Sequence, residues 1–142
     1  MVEIIRKSPG KIYSIEISKK FRDLLNSKIS DQNISILAND AKNLSDVVET
    51  NSVDKLLLIN VIYFLNPLDE YLKEFKRVIK KSGGILIVSK FHLAKGFDQS
   101  VFQNADAALL IHKLQKYFEV FFESVGSEKE TSQYQVITLK NK

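Results

Sequence analysis

Residues 55–88, KLLLINVIYFLNPLDEYLKEFKRVIKKSGGILIV, decide the fold class of this chain. The apolar start, residues 55–62, lacks the alternation of a half-buried strand, which predicts a β-strand buried on both faces. Residues 85–88 predict another buried strand. Between these two segments the apolar residues recur at helical spacing. The stretch therefore predicts strand, helix and strand in succession, which is the repeating unit of an α/β fold.

The helix in the middle of this stretch carries signals at both ends. Asn66 is expected to cap its N-terminus, and Pro67 to occupy the first helical position, where its missing N–H costs nothing. Acidic residues in the first turn and lysines in the last turn match the helix dipole. Gly83 and Gly84 are expected to end the helix. One apolar stripe runs along it: Leu68, Tyr71, Leu72, Phe75, Val78 and Ile79.

Upstream of this stretch the same alternation continues. Residues 11–17 and 34–38 carry the β-branched and aromatic residues that favour strands. Ser18 is expected to cap a helix between them, in which Phe21, Leu24, Leu25 and Ile29 recur at helical spacing. The upstream half therefore predicts a second strand–helix–strand unit.

Downstream, residues 100–116 predict a helix, and residues 118–125 and 134–139 predict two more strands. The polar segment that joins these strands, residues 126–133, is too short to be a crossover helix. We therefore expect the two strands to pair as an antiparallel hairpin at the edge of an otherwise parallel sheet. The pattern predicts one α/β domain over residues 1–142.

Composition excludes several classes of site. The chain has 142 residues, of which 44% are hydrophobic and 27% charged, as is typical of a soluble globular domain. It has no cysteine, which excludes disulfides, thiolate metal sites and a cysteine nucleophile. With only two histidines, no metal site is predicted. The longest apolar run is too short to cross a bilayer, and no signal peptide is evident, so we expect a cytoplasmic protein without a membrane partner.

The positive charge of the chain is spread out. The formal net charge is +4, but the basic residues are nearly all lysines distributed along the whole sequence. No block of five or six like charges occurs, and no basic stripe is interleaved with aromatic residues. A lysine-rich solvated surface explains this pattern better than a nucleic-acid partner.

Four segments together carry a family resemblance. They are residues 12–18 (IYSIEIS), 37–41 (LANDA), 52–65 (SVDKLLLINVIYFL) and 74–84 (EFKRVIKKSGG). In this order and spacing they resemble the class I S-adenosylmethionine-dependent methyltransferases of type 11, although Ser82 stands where that family usually has proline. The resemblance implies a Rossmann-like, mostly parallel sheet with an antiparallel C-terminal hairpin. It also implies S-adenosyl-L-methionine as cofactor and a small-molecule methyl acceptor.

The resemblance assigns a cofactor-binding role to five residues. Glu16, with Ile17 beside it, would accept hydrogen bonds from both ribose hydroxyls, as acids at strand ends do in dinucleotide folds; the alternative is a solvated strand-end glutamate. Asp40 would accept from the adenine amino group while the Ala41 N–H donates to a ring nitrogen; alternatively, Asp40 opens an Asx turn. Asn60 would contact the methionine end of the cofactor, or it satisfies backbone groups.

Other residues near the expected site have weaker assignments. Tyr63 and Phe64 would help to line the acceptor pocket, or they belong to the core. Asp54 is expected to be structural, because it stands at the start of its strand, away from the ligand end. His92 would lie at the pocket mouth, but a single histidine without a partner does not identify a general base. No catalytic residue is predicted.

The glycine-rich turn of this family has no counterpart here. Only Gly10 precedes Glu16, whereas in such folds the ribose acid lies about 20 residues beyond the glycine-rich turn. Residues 2–7 are expected to be the tail of the first crossover helix. The chain is thus expected to be N-terminally truncated and to lack the first βα element.

The missing element would have a structural consequence. Without its central strand, the sheet would have two apolar edges facing a gap about 10 Å wide, twice the usual strand spacing of ~4.8 Å. Three outcomes stay open: the two edge strands pair with each other, a partner chain completes the sheet, or the product is poorly stable.

Three functions follow as hypotheses. The first is transfer of a methyl group to a small-molecule acceptor, with weak or undetectable cofactor binding by this chain alone. The second is a catalytically inactive remnant or interaction module of the same fold, whose strand edges pair with a partner. The third is half of a nucleotide-binding dehydrogenase, which the reversed terminal hairpin disfavours.

Overall fold

The computed structural model describes residues 10–94, 96–126 and 134–142 of the chain. The expected helix tail at residues 2–7, nearly all of the polar connection at residues 126–133, and the side chain of His92 lie outside the described part. The chain divides into two compact units, Met1–Leu44 and Ser45–Lys142. A single domain over residues 1–142 stays a prediction.

The first unit is a strand–helix–strand unit, as predicted. Strand β1 spans Ile12–Ile15, helix α1 spans Lys19–Lys28, and strand β2 spans Ile34–Leu37. The two strands pair in parallel, with Ile12 opposite Ile34 and Ile15 opposite Leu37. Ser18 is the N-cap residue of α1, but its side chain makes no capping hydrogen bond.

The apolar side of α1 is not covered. The spacing of its apolar residues predicts a stripe that faces a core, yet none of the ten residues of the helix is buried. Phe21 and Leu24 are exposed, and so is Ile17 in the turn before the helix. The residues of both strands are only half-buried. The described part of this unit therefore contains little core of its own.

The second unit is built on four strands and contains most of the core. Its elements in chain order are β3 (Val53–Ile59), a 3-10 turn (Ile62–Phe64), α2 (Leu68–Val78), β4 (Ile79–Ser89), α3 (Phe91–Ala94), α4 (Ala107–Leu114), β5 (Phe118–Gly126) and β6 (Tyr134–Asn141). The strand order is β3-β4-β6-β5. Strands β3 and β4 are parallel, whereas β6 is antiparallel to both β4 and β5. The predicted α/β fold with an antiparallel C-terminal hairpin is confirmed.

The two faces of this sheet differ in burial. On one face, Ile85 and Ile87 of β4 lie beside Leu139 and Ile137 of β6, and all four are buried. The apolar stripe of α2 is buried as well. The opposite face is exposed: Leu57 is 44%, Ile59 39% and Leu86 37% accessible. The prediction that β3 is buried on both faces is therefore wrong, because the described residues of this unit supply no cover for its second face.

Helix α2 begins one residue later and ends earlier than its sequence signals suggest. Its N-cap is Pro67 rather than Asn66, and no side chain caps it. Its last residue is Val78, because Ile79 adopts an extended conformation and begins β4. The helix stop thus comes from the strand that follows directly and not from the two glycines.

Gly83 and Gly84 lie inside β4, where neighbouring backbone comes close. A Cβ atom on Gly83 would lie 2.9 Å from the carbonyl oxygen of Asp54, and one on Gly84 would lie 2.9 Å from that of Leu139. Neither glycine has a positive φ. Their expected role as a helix stop is wrong; they permit close strand packing.

Helix α4 is shorter than predicted. It begins at Ala107 instead of residue 100, because the Asp106 carboxylate caps it by accepting from the N–H groups of Ala108 and Leu109, at 2.9 and 3.1 Å. This is an N-cap of the usual kind, in which a side-chain oxygen takes up free N–H groups of the first turn. The short helix α3 was not predicted.

Within the described ranges, strands β1 and β3 each pair along one edge only. Strand β1 pairs with β2 and strand β3 pairs with β4, and the two pairs belong to separate sheets. Each sheet therefore presents an edge whose backbone groups can accept another strand.

Candidate functional site

Two of the predicted site residues lie at one edge of the first sheet. Glu16 directly follows β1, and its N–H donates to the carbonyl oxygen of Leu37 at the end of β2, at 3.0 Å. Asp40 follows β2 by three residues. Both carboxylates therefore stand beyond the carboxyl ends of neighbouring parallel strands, where open α/β sheets bind their ligands.

The Glu16 carboxylate is held by the turn in which it lies. Its Oε1 atom accepts from the Ser18 N–H at 2.7 Å. The Arg22 guanidinium donates to the carbonyl oxygens of Glu16 and Ile17, at 2.9 and 2.6 Å, and fastens the start of α1 to this turn. Oε2 of Glu16 has no hydrogen-bond partner among the described residues. The half-buried side chain can thus accept a hydrogen bond from a ligand, and its ribose role stays a prediction.

Asp40 opens the turn that was predicted as the alternative to an adenine contact. Its Oδ1 accepts from the Lys42 N–H at 3.3 Å, and its carbonyl oxygen accepts from the Asn43 N–H at 2.8 Å. The Ala41 N–H has no partner in the described part of the chain. The adenine role of these residues stays a prediction.

Asn60 marks the carboxyl end of β3 in the second unit. It has a left-handed backbone, with φ of 50°, which asparagine tolerates better than most residues. Its N–H donates to the Val88 carbonyl oxygen at 2.9 Å. Its Oδ1 accepts from the Tyr63 hydroxyl at 3.2 Å and from the Lys90 N–H at 3.3 Å. The side chain therefore satisfies a backbone group, as one of the two interpretations predicted, while its Nδ2 stays available.

Sequence reasoning missed part of this network. The Lys90 N–H also donates to the Tyr63 hydroxyl, so Tyr63 links the ends of β3 and β4 together with Asn60. Tyr63 is buried, whereas the next residue, Phe64, is about half exposed. The spacing of Asn60 and Tyr63, three residues apart after a strand, was the only local signal for this arrangement.

Tyr63 also belongs to an aromatic cluster that sequence reasoning found only in part. The cluster consists of Tyr63, Phe64, Phe91, Phe97 and Phe102, whose neighbouring rings have centroids 4.8–5.8 Å apart. Phe91, Phe97 and Phe102 come from the segment between β4 and α4. Nothing local in the sequence indicates that this segment folds back onto Phe64.

Two kinds of feature are absent from the described residues. No three His, Cys, Asp or Glu side chains among them are grouped so that they could hold a metal ion. None of the helices in the described ranges is long and apolar enough to cross a membrane. Asp54, expected to be structural, forms a surface ion pair with Lys80 at 2.8 Å.

Comparison with protein families gives one match. A family model described as a methyltransferase domain matches residues 1–88. No curated protein matches the chain. The matched range contains all five residues assigned above to cofactor binding.

Many solved structures match this chain. The PH0226 protein of Pyrococcus horikoshii OT3 superposes with a TM-score of 0.76 at 16% identity, over 99% of this chain and 77% of its own. A chain in the complex of the Haloferax volcanii Trm112 methyltransferase activator superposes with a TM-score of 0.82 at 11% identity, over 99% of this chain and 76% of its own. The N-methyltransferase NodS of Bradyrhizobium japonicum WM9, in complex with S-adenosyl-L-homocysteine, superposes with a TM-score of 0.66 at 12% identity, over 92% of this chain and 66% of its own. At these identities the likeness shows the fold alone.

Proposed function

Residues 1–88 match the model of the methyltransferase domain family, so this chain belongs to that family, and we propose that it transfers a methyl group from S-adenosyl-L-methionine to a small-molecule acceptor. The observation that carries the proposal within this family is the placement of Glu16 and Asp40. Both stand beyond the carboxyl ends of neighbouring parallel strands. A cytoplasmic location stays a prediction.

The groups at this edge fit the nucleoside half of that cofactor. A ribose diol offers two O–H donors. The Ser18 N–H orients the Oε1 atom of Glu16, and Oε2 has no partner in the part of the chain that the structure describes. An adenine edge offers an amino donor and a ring-nitrogen acceptor, which match the Asp40 carboxylate and the Ala41 N–H. Ile17 is exposed beside Glu16 and belongs to the same segment. We assign Glu16, Ile17, Asp40 and Ala41 to the nucleoside.

Asn60 is assigned to the methionine half of the cofactor. Its Oδ1 accepts from Tyr63 and Lys90, so its Nδ2 is presented in one orientation. An amide N–H is a suitable donor to a carboxylate oxygen. When bound, S-adenosyl-L-methionine supplies an electrophilic methyl group on a sulfonium. The chain's own contribution is to orient donor and acceptor and to exclude water.

The proposal is tested by titrating the chain with S-adenosyl-L-homocysteine and following backbone amide signals by NMR. Because we expect weak binding by this chain, the ligand is raised to millimolar concentration. The amides of residues 16–18 and 40–42 should shift. Glu16→Gln keeps one acceptor oxygen but loses the charge-assisted bond, which is worth about 1.5–3 kcal/mol, and should weaken binding roughly tenfold or more.

Asp23→Asn is the matched control for this change. Asp23 is an exposed carboxylate in the same unit, paired with Lys19 on the surface of α1, and its loss should leave the titration unchanged. Absence of shifts at both segments, or equal titrations for wild type and Glu16→Gln, would refute the assignment of Glu16.

A second candidate function is an interaction module whose partner chain completes the sheet. It is favoured by the unpaired edge of β3 together with the exposed Leu57 and Ile59 on the same strand. Apolar edge strands pair readily with other chains. One structural neighbour comes from a complex with a methyltransferase activator. This function does not require the Glu16 carboxylate, so the two candidates separate in the titration above.

A further inference from the structure

Three phenylalanine rings lie side by side at the surface of the second unit. Phe97 and Phe102 are stacked, with centroids 5.0 Å apart and planes inclined by 25°. Phe64 and Phe102 are 4.8 Å apart at 60°. Phe64 is 47% and Phe97 58% accessible, although both contact Phe102. We call Phe64, Phe97 and Phe102 the phenylalanine platform.

Exposure of these rings costs free energy that burial would recover. Apolar surface left in water forgoes about 25 cal/mol per Å². Scattered exposed apolar residues are ordinary, but rings in mutual contact form a continuous apolar patch of the kind that binds ligands or partners. A single exposed apolar residue needs no functional explanation, but a continuous patch such as the platform does.

The Phe64 side of the platform is fixed by a buried amide. Asn104 is buried, and its Nδ2 donates to the carbonyl oxygens of Ile62 and Leu65, at 3.2 and 2.9 Å. These carbonyls flank Phe64 in the chain. The Oδ1 atom of Asn104 accepts from the Lys113 ammonium at 3.3 Å. Asn104 thereby ties the segment that carries Phe102 to the turn that carries Phe64.

A second amide fixes the Phe97 side. The Gln99 Nε2 donates to the carbonyl oxygen of Phe97 at 2.8 Å and to that of Ala94 at 3.2 Å. The backbone of Phe97 is thus connected to the end of α3. Because both sides are held by hydrogen bonds, the rings are arranged before any ligand arrives, which reduces the entropy cost of binding.

The platform adjoins the polar network at the carboxyl ends of β3 and β4. The Tyr63 ring lies 5.8 Å from the Phe64 ring and 5.8 Å from the Phe102 ring. The Tyr63 hydroxyl donates to Asn60, the residue assigned above to the cofactor. A molecule resting on the platform would therefore lie beside this network.

From this juxtaposition we infer that the phenylalanine platform binds a planar aromatic ring of the methyl acceptor by stacking; the identification of the ligand as the acceptor rests on the proposed function. The platform offers aromatic ring surface in mutual contact, which suits a planar aromatic ligand. Offset or inclined stacking on such rings is worth about 0.5–1.5 kcal/mol beyond the area buried. A saturated ring system of the same size would lose that contribution.

The test compares two probes with the same bicyclic carbon skeleton and hydroxyl position, the planar aromatic 2-naphthol and the saturated decahydro-2-naphthol. Binding is followed by NMR of the aromatic side chains, in the absence of cofactor. We expect 2-naphthol to bind more tightly, about 2- to 10-fold, which corresponds to the stacking contribution. Phe97→Leu should weaken 2-naphthol binding by a similar factor and leave the saturated probe nearly unchanged.

Phe121→Leu is the matched control, because Phe121 is an equally exposed phenylalanine of the same unit that lies on β5 outside the aromatic cluster. It should leave binding of both probes unchanged. Because Phe97 is exposed, its replacement should not disturb folding, and an unchanged backbone NMR spectrum checks this. Phe102→Leu provides a second variant.

Equal affinity for the two probes would overturn the inference, and so would an equal effect of Phe97→Leu and Phe121→Leu. Failure of the proposed function is recognised separately. Glu16→Gln should leave 2-naphthol binding intact, since this binding is measured without cofactor and Glu16 is not part of the platform. Loss of the S-adenosyl-L-homocysteine shifts with retained naphthol binding would contradict the cofactor assignment and not the platform.

Discussion

Arg77 shows how one residue of the family-like segment holds the second unit together. Its guanidinium forms two hydrogen bonds to the Glu74 carboxylate, at 2.7 and 2.9 Å. It also donates to the Val48 carbonyl oxygen and to the Thr50 hydroxyl, both at 3.0 Å. Hydrogen bonding to Glu74 raises the pKa of Arg77 above its usual value, so the guanidinium stays charged. The residue joins α2 to the segment that precedes β3.

Replacing Arg77 by lysine should destabilise the chain. Lysine keeps the charge but lacks the planar fork that reaches Glu74, Val48 and Thr50 together. Loss of two or more hydrogen bonds to charged groups should lower the free energy of unfolding by about 1–3 kcal/mol. Urea unfolding measures this change.

Lys73→Gln is the control for Arg77→Lys. Lys73 is exposed on the same helix, and surface substitutions of this kind change stability by less than about 0.5 kcal/mol. A change of the same small size in Arg77→Lys would show that the segment before β3 is held by other contacts.

At the scale of elements, the close approach of β4 to its neighbours depends on glycine. The backbone of β6 passes Gly84 so closely that a Cβ atom would lie 2.9 Å from the Leu139 carbonyl oxygen. Real Cβ atoms do not approach backbone oxygen so closely, so either strand has to move. The register of β4 and β6 therefore depends on the missing side chain.

Gly84→Ala should lower the stability of the chain by about 1–3 kcal/mol, which is the usual cost of overpacking. Gly10→Ala is the control, because nothing lies within 4 Å of the Cβ position at Gly10. That change should be neutral or stabilising by up to about 1 kcal/mol. Urea unfolding of both variants checks the expectation, and equal stabilities would contradict it.

At the scale of the whole molecule, each sheet has an edge strand that pairs on one side only in the part of the chain that the structure describes. Strand β3 adds an exposed apolar face, with Leu57 and Ile59 on its surface. Water-exposed apolar strands with free backbone groups are templates for association. We therefore expect the chain to associate in a concentration-dependent way through this edge and face.

Sedimentation velocity at several concentrations measures this association. Leu57→Lys places a charge on the exposed face of β3 and should reduce the concentration dependence. Leu109→Lys is the control, because Leu109 is an exposed leucine on α4 in the same unit. A chain that sediments as a monomer at every concentration would contradict the expectation, as would equal effects of the two substitutions.

The sequence by itself determined the order of the strands and of every described helix except α3, the parallel pairs and the antiparallel hairpin. Helical periodicity, β-branched runs and the length of a connection are local properties. Each can be recognised in the sequence without knowing which distant residues are in contact. The sequence also determined that Glu16, Asp40 and Asn60 lie at the carboxyl ends of parallel strands, because each of them comes shortly after a predicted strand.

Only the tertiary structure decided what touches these elements. Gly83 and Gly84 suggest a helix end in sequence, but they lie where other backbone passes close by. The phenylalanine platform joins residues about forty positions apart through the buried Asn104. Likewise, exposure of Leu57 depends on whether another layer covers β3. Contacts of this kind depend on how the chain folds back on itself, and no local pattern of residues encodes them.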